Sequence, residues 1–165
     1  MNLYGMELGD RERGFDVGLV CENGHGINGK VQSQPEFNSQ HCPECGAKTV
    51  VKCECGEPIR GGLLGLASRY DPPAHCTRCG KPHVWTVRRA EALKTLIAEL
   101  DDLSSEETRK LSESVPDLIA DTPMTETATL RVKKLLARLK PDMAKFVGST
   151  LKELVVASVV RKLGL

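Results

Sequence analysis

Four short segments decide how this chain folds: Cys21-Glu22-Asn23-Gly24-His25, Cys42-Pro43-Glu44-Cys45-Gly46, Cys53-Glu54-Cys55-Gly56 and Cys76-Thr77-Arg78-Cys79-Gly80. Between them they use all seven cysteines of the sequence and one histidine. Cysteines two or three residues apart, followed by glycine, form turns that aim two thiolates at one point. Eight such donors match two four-coordinate sites with no thiol left over. Taken in order, Cys21, His25, Cys42 and Cys45 make one set, and Cys53, Cys55, Cys76 and Cys79 the other. The expected cofactor is zinc, two ions per chain. An odd cysteine count in paired spacings argues against a disulfide framework and for a reducing compartment.

The metal also answers a question of size. The cysteine-bearing part, residues 1–85, is too small to fold on buried apolar surface alone, and domains of that size lean on metals or disulfides. Phe15 to Cys21 alternates as a strand that delivers Cys21, and Asn23-Gly24 is a strong turn dipeptide that folds the chain back to His25. Ile27 to Val31 reads as a returning strand, and Lys48 to Lys52 as a strand linking the second pair to the third. Ile59 to Leu66 mixes glycine and leucine, and is either a tight hairpin or an exposed loop. In the second case Ile59, Arg60, Leu63, Leu64 and Leu66 are candidate partner contacts.

Two divisions of the ligands remain open on spacing alone. The sequential one, as in tandem ribbons, is favoured over a cross-braced one because the short Lys48 to Lys52 connection suits neighbouring knuckles. His41, His75 and His83 stand close to knuckles and compete as ligands. His75 or His83 would be recruited if Cys53 and Cys55, with one residue between them, could not both bind.

From Thr86 the pattern becomes helical. With Thr86 as N-cap, Val87, Ala90, Leu93, Leu96, Ile97, Leu100 and Leu103 form one apolar stripe. Ser104-Ser105-Glu106-Glu107 is a capping box for a short second helix that ends before Val115-Pro116. Thr122-Pro123 predicts the start of a third helix running to about Lys140, with Ala128, Val132, Leu135, Leu136 and Leu139 on one side. A fourth is predicted from Pro141 to about Leu163, with an apolar stripe too wide for one face. The fold class expected is therefore α+β: an N-terminal double zinc ribbon of short hairpins, residues 1–85, then a region of about four helices, residues 86–165, for docking or oligomerisation.

The formal net charge is only +1, but it is unevenly spread. Residues 86–121 are acidic and residues 122–165 basic, while the cysteine-rich part is near neutral and becomes negative once thiolates surround the metals. That part lacks the basic face that phosphate contact needs. Arg131, Lys133, Lys134 and Arg138 form a basic side on the third helix and are the candidate nucleic-acid contacts of an alternative reading. Aromatic residues for stacking on bases are few. A zinc hydrolase is a further alternative, but catalytic zinc keeps an open position and eight donors for two ions leave none. The deaminase order His-x-Glu followed by Pro-Cys-x-x-Cys is absent, as are phosphate-binding glycine loops, nucleophile elbows and the His-Glu-x-x-His motif. Whether the chain is an enzyme is uncertain, and the balance lies against it. No apolar run approaches the length of a membrane span.

Taken together, the segments Val20 to Asn28, Cys42 to Val50, Cys53 to Gly61 and Cys76 to Thr86, with Asp121 to Thr125 in the tail, resemble a family of small bacterial proteins of zinc-ribbon character catalogued as a domain of unknown function. The resemblance covers most of the chain and implies no activity, substrate or catalytic residue. The family's third pair resembles Cys-Pro-x-Cys, where this chain has Cys53-Glu54-Cys55.

These observations lead to a cytoplasmic, non-enzymatic adaptor or scaffold that binds a protein partner, or a second copy of itself, through its C-terminal helices. Neither a membrane nor a small-molecule substrate is expected.

Overall fold

The computed structural model describes residues 14–63, 70–101 and 103–165, and the chain divides into two compact units between Trp85 and Thr86. The first is built from very short strands: β1 (Phe15–Val17), β2 (Leu19–Cys21), β3 (Gly26–Asn28), β4 (Thr49–Val50) and β5 (Arg60–Leu63). They form a three-stranded antiparallel sheet in the order β3-β2-β4 and a two-stranded antiparallel pair of β1 with β5. The expected first strand is thus two strands interrupted at Gly18, each in a different sheet.

A small number of contacts fix this arrangement. Val20, Ile59 and Trp85 are buried together, with Val50 and Tyr70 packed against them. The Trp85 indole donates to the Pro73 carbonyl at 3.1 Å, and the His83 ring stacks on it with centroids 4.4 Å apart. Asp16 is buried and accepts from the Ser33 hydroxyl at 2.6 Å and from the amides of Gln32 and Ser33, each at 3.0 Å. Burial works to raise its pKa, but these hydrogen bonds to the ionised form outweigh burial and hold it below the usual carboxylate range.

The stretch from Ile59 is neither a free hairpin nor a loop at its start. Ile59 is buried, which corrects its assignment as a partner contact, and Arg60 to Leu63 pair with β1. Gly61 explains why glycine stands there: a Cβ at that position would lie 2.3 Å from the Gly29 carbonyl oxygen. Arg60 and Leu63 are exposed, the Arg60 guanidinium lying 4.3 Å from the centre of the Phe15 ring. Leu64 and Leu66 lie outside the described residues.

The second unit is helical: α1 (Val84–Ala98), whose first two residues still belong to the first unit, α2 (Ser105–Glu113), α3 (Val115–Ile119), α4 (Thr125–Leu136), α5 (Pro141–Leu154) and α6 (Ala157–Leu163). Its core gathers Leu93, Leu111, Leu118, Val132, Val147 and Val159 among others. The helix expected to begin after an N-cap at Thr86 starts at Val84, with Thr86 buried inside it and Val87 exposed. The capping box forms as read: the Ser104 hydroxyl accepts from the Glu107 amide at 3.4 Å, and Glu107 accepts from the Ser104 amide at 3.0 Å.

Three details differ from the expectation of about four helices. α2 ends before Val115-Pro116 as expected, but a further short helix, α3, starts at once, with Pro116 in its first turn, where its missing N–H costs nothing. The third helix begins at Thr125, after a turn in which the Thr122 hydroxyl accepts from the Met124 amide at 3.1 Å, and it ends at Leu136. The last helix is two. At Val155-Val156 the chain leaves helical geometry, and the Val156 amide bonds to the Leu118 carbonyl at 3.0 Å. The bend turns α6 so that Val159 is buried, which accounts for a stripe too wide for one straight helix.

Candidate metal centres

Each cysteine pair stands on a tight turn closed by its own backbone. In the first, the Cys21 amide bonds to the His25 carbonyl at 3.0 Å and the Gly24 amide to the Cys21 carbonyl at 2.8 Å. In the third, the Cys53 amide bonds to the Glu57 carbonyl at 2.8 Å and the Gly56 amide to the Cys53 carbonyl at 2.9 Å. The second and fourth turns are one residue longer. Cys42 bonds to the Ala47 carbonyl and Cys76 to that of Lys81, with Gly46 and Gly80 returning to the carbonyls of Cys42 and Cys76. Gly24, Gly46, Gly56 and Gly80 all have left-handed φ, between 70° and 92°, a conformation that a side chain would strain. Single antiparallel bridges, His41 with Lys48, Lys52 with Pro58 and His75 with Pro82, flank the second, third and fourth turns.

These turns bring the donors into two clusters, Cys21, His25, Cys42 and Cys45, and Cys53, Cys55, Cys76 and Cys79. The ligands therefore pair sequentially and not in the cross-braced way. A tetrahedral metal about 2.3 Å from sulfur and about 2.0 Å from imidazole nitrogen needs S···S separations of roughly 3.8 Å and S···N separations of roughly 3.6 Å. The first cluster shows Cys21 to Cys45 at 3.8 Å, and His25 Nδ1 at 3.5 Å from Cys21 and 3.4 Å from Cys42. The second shows Cys53 to Cys79 at 3.9 Å and Cys55 to Cys76 at 3.7 Å. All seven cysteines are free thiols, and their spacing far exceeds the roughly 2.05 Å of a disulfide. Each donor set thus fits one four-coordinate ion.

The surroundings also suit a metal. His25 turns Nδ1 toward the cluster and Nε2 toward the Glu44 carboxylate at 3.5 Å, an arrangement that fixes the tautomer of a ligating imidazole. The Ala47 amide, with help from Asn23, brings the Cys45 thiol down to about 6. The amides of Cys79 and Arg78 bring Cys76 down to about 7. Two other thiols move the opposite way. Burial raises Cys21. For Cys53 the Cys55 amide pulls downward, but burial and the neighbouring thiols push it up to about 11. Each cluster therefore has one thiol ready to ionise near neutrality, the state in which sulfur binds metal.

Among the described residues His41, His75 and His83 belong to neither cluster. His41 and His75 lie in the bridges that flank knuckles, and His83 is packed on Trp85. Burial, helped by the nearby charge of His75, lowers the His83 pKa. Cys53 and Cys55 both join the second cluster, so no histidine is recruited in their place.

The two turns that begin at Cys21 and Cys53 show a feature that cysteine counting passes over. Cys21 to Gly29 and Cys53 to Gly61 carry Cys, Glu, Gly, Ile and Gly at corresponding places, and His41-Cys42 corresponds to His75-Cys76 once two extra residues in the second copy are allowed for. The backbones agree, with φ of 92° at Gly24 and 88° at Gly56. The module is an internal repeat in which the second ligand has moved. In the first copy it is His25, four residues after Cys21. In the second it is Cys55, two residues after Cys53, at the place of Asn23, while Glu57 stands where His25 would be. Asn23 keeps a role beside the cluster, donating to Cys45 Sγ at 3.4 Å. Aligning the chain with itself would have found Asn23 and explained the unusual Cys53-x-Cys55 spacing.

The candidate nucleic-acid residues are all exposed, but two are engaged within the helical unit. Arg131 donates to the Ser114 hydroxyl, and Arg138 pairs with Glu107.

Residues 14–163 match the family model described as uncharacterized protein conserved in bacteria, DUF2321. No curated protein and no solved structure matches the chain. The match runs over nearly the whole sequence, in keeping with the resemblance carried by the cysteine pairs, and the chain belongs to this family.

Proposed function

We propose that this protein is a zinc-stabilised, non-enzymatic adaptor: the ribbon is a rigid recognition surface, and the helices dock a protein partner or a second copy of the chain. The observation that carries the reading is the closure of both clusters. Every donor is a protein atom at tetrahedral spacing, so an ion held by all four has no place for substrate or an activated water. A mixed set of three thiolates and an imidazole beside a set of four thiolates favours zinc in both. The helical unit supports docking in its own way, since Leu130, Met143 and Phe146 are large apolar side chains left exposed.

Elemental analysis of the purified protein is expected to find two zinc ions per chain. X-ray absorption is expected to show only sulfur and nitrogen neighbours. Cys42→Ser should lower the metal content to one. An oxygen neighbour attributable to water would favour the hydrolase reading instead. Affinity capture from a bacterial host with the metal-loaded protein, together with its mass in solution, tests the adaptor role. A monomer that retains no protein would overturn it. The nucleic-acid alternative would use Arg131, Lys133, Lys134 and Arg138, of which Arg131 and Arg138 have acceptors within the helical unit. It predicts binding in a filter assay that falls steeply with salt.

A further inference from the structure

The two clusters differ in how well their sulfurs are protected. In the first, Cys21 and Cys42 are buried and only Cys45 is exposed. That thiol accepts a hydrogen bond from Asn23, and the His25 amide donates to Cys21 Sγ at 3.3 Å. A hydrogen bond to a thiolate withdraws charge from it and weakens it as a nucleophile. The remaining donor is an imidazole, which peroxide does not convert to a disulfide. In the second cluster backbone amides also reach Cys53 and Cys76, but only Cys76 is buried. Cys53 is partly accessible, and Cys55 and Cys79 are exposed. The place of protective Asn23 is taken here by Cys55, itself an oxidisable donor.

Resting on the zinc reading above, we propose that the second cluster is an oxidation-sensitive metal site that gives up its ion to peroxide while the first keeps its own. The pair assigned to react is Cys53 with Cys79. Their sulfurs lie 3.9 Å apart on different knuckles, and neither is buried. The other close pair of this cluster, Cys55 with Cys76 at 3.7 Å, includes the buried thiol. One thiolate attacks a peroxide oxygen, breaking the O–O bond and leaving a sulfenic acid and hydroxide. The second thiolate then attacks that sulfur and expels a second hydroxide. Two sulfurs lose two electrons, the peroxide gains them, two protons complete two waters, and two metal–sulfur bonds are replaced by one S–S bond. Two thiolates remain, too few to hold the ion.

The test uses the full metal-loaded chain. Zinc is counted first, hydrogen peroxide is then added in steps, released zinc is read with a chromogenic chelator, and disulfides are mapped by mass spectrometry. The expected result is release of one zinc about tenfold faster than the other, together with a Cys53–Cys79 bond and recovery of the site on adding a thiol reductant and zinc. Asn23→Ala, which leaves all eight ligands in place, is expected to speed release from the first cluster and narrow the gap. Simultaneous release, a first disulfide containing Cys21, Cys42 or Cys45, or methionine oxidation before any zinc appears would overturn the inference with the zinc reading intact. A starting count below two would remove the zinc reading itself, and this inference with it.

Discussion

The ribbon and the helical unit solve the same problem with different materials. The ribbon's buried apolar cluster is essentially Val20, Ile59 and Trp85, and its strands are two to four residues long. The helical unit buries a dozen residues in one core and starts α2 with a side-chain capping box. The first depends on eight donors agreeing about two points in space, and the second on many weak contacts that tolerate individual loss. Metal removal and core truncation should therefore strike different halves of one chain.

The largest effect is expected from chelation. Structural zinc supplies on the order of 10 kcal/mol of folding free energy to small modules. Stripping the metal should expose Trp85, the single tryptophan, and shift its fluorescence to the red while the helical circular dichroism persists. A parallel collapse of both signals would show that the halves fold as one. The converse test is Leu118→Ala, a fully buried leucine. It should cost about 2–5 kcal/mol in urea denaturation followed by helical signal and leave the metal count unchanged.

Asp16→Ala probes how much of the ribbon is ordinary hydrogen bonding. Leaving the amides of Gln32 and Ser33 without their acceptor should destabilise it by about 2 kcal/mol, measured by amide exchange at constant zinc. Ser104→Ala removes one arm of the capping box and should cost the helical unit about 1 kcal/mol.

The smallest effect concerns acid. The Arg138 guanidinium, followed by the Ser104 amide and hydroxyl, holds the Glu107 carboxyl at about 2, below its ordinary 4.5. A depressed carboxylate stabilises the fold above its unfolded pKa and loses that contribution as pH falls through the folded one. The helical melting temperature should therefore drop between about pH 4.5 and 2, and Glu107→Gln should flatten that slope. An unchanged slope in the variant would show that the pair adds nothing measurable, as exposed pairs often do.

The donor sets were legible because chemistry restricts them: few residue types bind such a metal, and their spacing must close a turn. The capping box was legible for the same reason, since its hydrogen bonds span three residues. What escaped the sequence was set by distant parts of the chain. Nothing near Val156 announces that its amide will bond to Leu118 and split a helix. Gly61 looks like loop punctuation until the Gly29 carbonyl is placed against it. Thr86 has the chemistry of an N-cap, yet it lies buried within a helix that has already begun. Asn23 was visible as a turn residue, and comparing the two copies places it opposite Cys55, but the hydrogen bond it donates to Cys45 is set by the folded knuckle.

The displaced ligand of the second copy has a consequence for ion choice. An all-sulfur cage is softer than one with a nitrogen corner, so thiophilic intruders such as cadmium should discriminate between two sockets of common design. Under scarce zinc and a trace of such an ion, the population would hold hybrid molecules, each with a native ion in the nitrogen-bearing socket and a foreign one in its neighbour.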